Sequence, residues 1–409
     1  MRGTHLYHRT SVALLMGLLW TGTIASIPSR AQETTSSPNP KLQQVEFKEP
    51  LPLLGADGNL AAWGWARRAL IEYNRDAIPQ KLRGRIKEWE HYTVMSPTFT
   101  AGFTIARIGV LEFASVELID YRQGTNQSAM ILRAEKENRS PFPRHPYGDT
   151  TFSLGENSLS FRYADGKRRL AFRYAKSPLN PSFEGEVELT DAVEQESVAI
   201  TRPFSQPGHF FYENKIFAMP ATGYVMVDGK RYEFVVGQSF AIFDWGRGIW
   251  PRDSSWYWGQ GAGIANGKRM GFNLGHGYGD DAKGTCNAIL VDGVLHKLGH
   301  VRWEESSSAD ANQDHQNTKP KPASEAPQLA GENGDAQDLN PWHVYSDDGR
   351  MDLVFRPIYR QHVKQNLGVA AAELNKIHGT FTGTLVTVDG TKIPIQDFVG
   401  FLEHMTQRW

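Results

Sequence analysis

The sequence predicts a mostly β, antiparallel protein of two barrel or sandwich units with few short helices, and three observations carry that expectation. Aromatic residues are abundant, with 21 Phe, 14 Tyr and 11 Trp among 409 residues, and such side chains suit pleated, half-buried surfaces. Short runs of near-alternating polarity recur, such as Ser158-Leu-Ser-Phe-Arg-Tyr163 and Arg169-Leu-Ala-Phe-Arg-Tyr174, and period two is the signature of a strand with one buried face. Asp-Gly pairs stand between such runs at 165–166, 228–229 and 389–390, where a tight turn joins antiparallel strands.

Composition bounds the function classes. Hydrophobic residues make up 40% and charged residues 22%, which is globular usage, and 44 basic against 45 acidic side chains leave a net charge of −1. That balance argues against nucleic acid or a strongly anionic surface as partner. The single cysteine, Cys286, permits no internal disulfide and no multi-cysteine metal cage.

The first element is a leader. Basic Arg2 and Arg9 precede the apolar run Ser11–Trp20, and Ser29 and Ala31 supply the small residues of a cleavage site. Residues 1–31 therefore read as a secretory signal peptide, which implies a secreted or periplasmic mature chain with no integral membrane anchor after cleavage; the run is short of the ~20 residues a span needs. Residues 32–50 are polar and proline-containing and read as a flexible tether. An N-terminal β-unit is expected over 51–200, a boundary being suggested by Pro203 and Pro207, and a C-terminal β-unit over 201–409. Residues 305–340 hold almost no aromatic or branched aliphatic side chains, so a disordered insertion is expected there, inside the second unit.

The densest segment runs from Phe240 to Gly263. Trp245, Trp250, Trp256 and Trp258 crowd together with Asp244 and Arg247 and several glycines. Indoles beside small residues leave room for a molecule to stack while the backbone approaches; a Trp-rich core without a ligand has the same composition. Strand alternation puts Trp256 and Trp258 on one face and Tyr257 on the other. The run Met270–Asp281, with glycine at 271, 275, 277 and 279, projects Asn273, His276 and Asp280, and Asn287 follows Cys286. Polar groups converging on an aromatic cleft make a candidate site. Asp244 between Phe243 and Trp245 suits acid–base chemistry if it faces a cavity; an Asp–Arg pair with Arg247 locking a turn is the structural alternative. Asp280 is a candidate second carboxylate.

Other chemistries lack their signatures. The GxGxxG spacing has no strand-to-helix context, and no Gly-Lys-Ser/Thr ending or Gly-x-Ser-x-Gly elbow is present. His296 and His300 lie in a hairpin-like stretch, where four residues span ~13 Å, too far to share a metal ion. No metal and no cofactor is expected.

Arg85-Ile-Lys-Glu-Trp-Glu-His-Tyr92, Phe243-Asp-Trp-Gly-Arg-Gly-Ile-Trp-Pro251, Trp256-Tyr-Trp-Gly259, Gly271-Phe-Asn-Leu-Gly275, Asp292-Gly293 and the ending Gly400-Phe-Leu-Glu403 through Trp409 together resemble the DUF2804 family, a domain of unknown function, over about residues 51–409. The family pattern carries a glutamate where this chain has Cys286. The resemblance implies two lipocalin-like units, similar at fold level to double-barrel proteins such as carotenoid hydratases and tocopherol cyclases, which protonate isoprenoid double bonds in aromatic cavities. Indoles can stabilise a carbocation by cation–π attraction.

The function expected is binding of an apolar or amphipathic small molecule, a lipid or isoprenoid, in a Trp-lined β cavity. Trp245, Arg247, Trp250, Trp256, Trp258, Asn273, His276 and Asn287 are the candidate ligand-binding residues. The alternative is an acid–base enzyme, of hydratase, cyclase or glycoside-cleaving type, using Asp244 with Asp280.

Overall fold

The computed structural model describes residues 42, 44–134, 142–305, 334–335, 339–366 and 371–408. The leader at 1–31, most of the tether and nearly all of the 305–340 insertion lie outside the described residues. The end of the tether is a correction. Residues 45–47 pair with Trp65 through Trp65 N–H to Val45 O at 2.9 Å and Phe47 N–H to Trp65 O at 2.7 Å, and Glu46 meets Arg67 at 2.9 Å. Segment 44–50 is therefore docked on the fold, because its backbone finds a strand to pair with.

The class is as expected: strands hold 64% and helices 4% of the described residues, the helices being short 3₁₀ segments such as Arg75–Ala77 and Gln80–Arg85. Among the described residues the strands form a 13-stranded and a 10-stranded sheet, with a small parallel pair of Leu51–Pro52 and Ile71–Glu72 beside them. Local chemistry explains the connections. Asp165-Gly166, Asp228-Gly229, Asn266-Gly267 and Asp292-Gly293 all have positive φ at both positions, the type I′ geometry that matches the twist of flanking strands. Each joins directly paired residues, for example Ala164 to Lys167. The Asp389-Gly390 hairpin differs. Its flanking pair is Val386 with Lys392 and only Gly390 has positive φ, so the loop there is longer.

The first sheet runs from Thr125–Ala134 through Leu111–Asp120, Phe99–Ile108 and Ile86–Met95 to Phe240–Ile249 and Phe210–Val227, and on to Thr150–Leu154 at the far edge. It curls, so that Thr150–Leu154 and Asn157–Ala164 pack against Phe99–Ile108 and Leu111–Asp120. The second sheet has Asp253–Ala265, Lys392–Arg408, Ala371–Val386 and Met351–Asn366 side by side at its centre. It also curls, bringing Val301–Glu305 against Lys268–His276.

The division between the halves falls elsewhere than residue 200. Strands Phe210–Val227 and Phe240–Ile249 belong to the first sheet, and the chain passes to the second only at residues 250–252. Pro203 and Pro207 mark a hairpin within the first sheet, where Val198–Pro203 turns back to pair with Phe210–Val227; proline at a strand end interrupts no ladder bond.

Three apolar clusters follow. One fills the first curled sheet and includes Tyr92, Phe161, Phe243 and Trp245. A second fills the other sheet around Phe272, Phe355 and Phe381. A third lies between the sheets and holds Phe211, Phe217, Trp250, Trp258 and Phe401. Strand Phe240–Ile249 has every residue buried, because it separates the first cluster from the third. That double burial explains why it reads as a nearly continuous apolar run instead of an alternation.

Candidate functional site

In the layer between the sheets lies a cavity of about 260 Å³. Strand register assembles its walls. On the first sheet Lys215, Asp244, His91 and Thr104 are successive cross-strand partners on four neighbouring strands. The next row is Glu213, Gly246, Trp89, Ala106 and Phe113. On the second sheet Trp258, Glu403 and Lys376 are cross-strand partners. Side chains of residues two apart share a face, so Lys87, Trp89 and His91 line the cavity from one strand.

Glycine shapes this wall. A β-carbon at 246 would overlap the Trp89 ring, and one at 248 would stand 2.6 Å from Trp250 Nε1. The Asp244-Trp-Gly-Arg-Gly248 run thus alternates a carboxylate and two bare positions towards the cavity with Trp245 and Arg247 towards the interior of the first sheet.

The buried charges occur as matched groups on the two sheets. Trp89 Nε1–H donates to Asp244 Oδ1 at 3.2 Å, and Lys215 Nζ is 3.3 Å from Asp244 Oδ2 and 3.4 Å from Glu213 Oε2. Opposite, Trp256 Nε1–H donates to Glu403 Oε1 at 3.2 Å, and Lys376 Nζ is 3.6 Å from Glu403 Oε2. Each sheet therefore presents one carboxylate held by an indole N–H and a lysine. Between them stands Trp258, with Lys215 Nζ 4.2 Å from its ring centre and Lys376 Nζ at 5.5 Å. His91 hydrogen bonds with Thr104 Oγ1 at 2.8 Å and Thr93 Oγ1 at 3.0 Å.

Burial governs the proton affinities. It pushes Glu213 up to about 6 against the attraction of Lys215, with the Asp244 charge adding to the rise. It raises Glu403 despite Lys376. It lowers Lys87 to about 7 and His91 to about 3, the nearby Lys376 and Lys215 adding to the His91 shift. Burial alone would lower Lys215, but Asp244 and Glu213 outweigh it and hold the ammonium above its usual range. Such a site offers acceptors, donors and exchangeable protons within one small volume.

At the mouth, Trp250 packs edge-to-face against Trp89 at 5.7 Å and Trp256 at 5.1 Å between ring centroids, and half-buried Ile108 and Phe113 stand on the other side. Among the described residues no three His, Cys, Asp or Glu side chains come together as metal ligands.

The family model for the domain of unknown function DUF2804 matches residues 44–409. The chain belongs to the DUF2804 family. No curated protein matches the sequence significantly. Among solved structures, the DUF2804 chain is similar to an AttH-like protein of Nitrosomonas europaea at 12% identity, over 82% of this chain and 96% of that one, with a TM-score of 0.46. It is also similar to kievitone hydratase from Nectria haematococca at 9% identity, over 78% and 88% of the two chains, with a TM-score of 0.45.

Of the residues singled out in the sequence, Asp244, Trp250, Trp256 and Trp258 of this DUF2804 chain line the cavity. Trp245 and Arg247 do not, because alternation turns them to the opposite face. There Arg247 Nη2–H donates to Glu90 Oε1 at 3.1 Å and its guanidinium lies 3.9 Å from the Trp245 ring, so no Asp244–Arg247 pair forms. Asn273 supports the wall from behind, accepting Trp258 Nε1–H at 2.8 Å. Asn287 is structural, its Oδ1 accepting Gly275 N–H at 2.6 Å and its Nδ2–H donating to Gly299 O at 2.9 Å. His276 stacks on Tyr257, on the other face of the second sheet, at 4.5 Å. Asp280 is exposed and caps the short 3₁₀ helix Asp281–Lys283 by accepting Ala282 N–H at 3.0 Å, so it is no second carboxylate of this site. Glu403 holds that place, and Lys87, Trp89, His91, Glu213, Lys215, Tyr278 and Lys376 complete a lining that residue types alone did not reveal.

Proposed function

We propose that this chain, secreted after removal of residues 1–31, binds an apolar or amphipathic small molecule in the cavity between its sheets, the polar end inward. The observation that carries this reading is the mixed lining: aromatic and aliphatic side chains such as Trp89, Trp250, Trp256, Trp258, Ile108 and Phe113 beside the Lys215–Asp244 and Lys376–Glu403 groups. A cavity mostly apolar in its walls with a few fixed polar groups is the usual form of a small-molecule site. A lipid or isoprenoid fits this scheme with its chain extending through the mouth.

The test is organic extraction of the purified protein followed by mass spectrometry, alongside Trp256→Ala. The parent chain should yield a small apolar or amphipathic compound that the variant retains poorly, since one stacked aromatic contributes about 1–3 kcal/mol. Identical extracts from both proteins would remove the cavity from the binding role.

Acid–base catalysis is a second reading, favoured by Asp244 and Glu403 facing one volume from opposite sheets, each oriented by an indole N–H. On that reading Asp244→Asn abolishes turnover of the extracted compound while leaving its retention intact. Undiminished turnover would reduce the site to binding alone.

A further inference from the structure

We propose that the molecule taken by the inter-sheet cavity is an uncharged, hydroxyl-bearing ring compound of about two fused rings. This rests on the binding reading above and names the chemical class of its occupant. The first support is charge balance. The lining carries three amines, Lys87, Lys215 and Lys376, and three carboxyls, Glu213, Asp244 and Glu403. Lys215 is paired with Asp244 at 3.3 Å and with Glu213 at 3.4 Å, and Lys376 with Glu403 at 3.6 Å. A carboxylate ligand would bring an uncompensated negative charge beside three carboxyls, and an ammonium would do the same beside three amines. Either pays a desolvation cost that the pairs already formed between these lysines and carboxyls do not offset.

The second support is the alternation of hydrogen-bonding types. Lys215 and Lys376 are donors only, while Asp244 and Glu403 each carry oxygens with one donor apiece and a further lone pair. A hydroxyl both donates and accepts, so it can bridge an ammonium and a carboxylate that stand side by side. An anion can only accept, and an alkyl or aryl edge can do neither.

The third support is size and shape. A dry cavity of roughly 150 Å³ holds one benzene ring, so about 260 Å³ suits a two-ring body. The Trp89 ring covers the space left by Gly246 and, with Trp250, Trp256 and Trp258, gives the cavity flat ring surfaces, which favours a planar body over a bulky one.

The experiment is a tryptophan-fluorescence titration of the full chain with 2-naphthol, 2-naphthoate and naphthalene at pH 7.5, the lining indoles serving as reporters. The parent protein should bind 2-naphthol at least tenfold more tightly than either other probe. Glu403→Gln removes one carboxyl and should shift the naphthoate-to-naphthol affinity ratio at least tenfold towards naphthoate. Glu213→Gln should shift it the same way, and serves if Glu403→Gln does not fold. Naphthoate or naphthalene binding as tightly as naphthol would overturn the assignment of a neutral hydroxyl while leaving the cavity a binding site. A ratio unmoved in a folded variant would overturn the charge-balance argument. Failure of all three probes to bind would overturn the binding reading together with the class.

Discussion

A missing β-carbon sets the position of an indole in the cavity wall. At residue 246 any side chain would occupy the volume of the Trp89 ring, whose N–H holds Asp244. Gly246→Ala should therefore displace Trp89, release Asp244 from its donor and lower stability by about 1–3 kcal/mol, the usual cost of overpacking. Chemical denaturation checks the stability loss, and a blue or red shift of tryptophan emission checks the displacement. A variant as stable as the parent with unchanged emission would contradict this placement. Cys286 shows the converse case, in which burial pushes the thiol up to about 12. It stays protonated and unreactive at neutral pH, so Cys286 offers no nucleophile.

At the scale of the element, strand Phe240–Ile249 explains why part of the site was legible and part was not. The cluster of indoles and Asp244 was visible because it is dense in sequence. Period two already separates Asp244 from Trp245 and Arg247, so grouping all three ignored the one rule that strands obey most strictly. Strand Ile86–Met95 gave a fainter signal. Its Lys87, Trp89 and His91 share the cavity face, yet Glu88 and Glu90 on the other face are buried too. Glu88 meets Arg107 at 3.3 Å and Glu90 meets Arg247 at 3.1 Å. With charge on both faces, polarity could not tell inside from outside. The pairs Lys215–Asp244 and Lys376–Glu403 were invisible for a different reason, since each joins strands that only the sheet register brings together. The hairpins at Asp165-Gly166 and Asp228-Gly229 were legible, because such turns carry their geometry in two residues, whereas the longer loop at Asp389-Gly390 was not. Strands Val301–Glu305 and Trp342–Ser346 pair directly, with Glu305 opposite Trp342, while Gly334–Asp335 pairs with Tyr359 and Arg360 and Leu339 packs against the second apolar cluster. Replacing 306–333 by a short linker should leave the Tm essentially unchanged in a thermal melt. A large drop would mean that the loop contributes to the core.

For the molecule as a whole, buried bases make stability depend on pH. His91 titrates near 3 in the fold against 6.5 in the unfolded chain, held neutral by burial and by the neighbouring Lys376 and Lys215. His378 is lowered well below its usual value for the same reason. The unfolded chain thus binds more protons than the native one as pH falls from 6.5 towards 3, so native stability is lost across that window. Glu213 works the other way, its raised affinity giving stability that disappears as pH rises from 4.5 to about 6. His91→Gln should flatten the loss of denaturation free energy between pH 6.5 and 5 relative to the parent. Parallel curves for the two proteins would assign the acid sensitivity to other groups.

The two sheets are drawn from successive stretches of chain that meet through a single covalent crossing at residues 250–252. The third apolar cluster touches both, so it works as mortar between two courses of masonry. A substitution that loosens it would be felt first along that seam, while each curled sheet keeps its own filling intact.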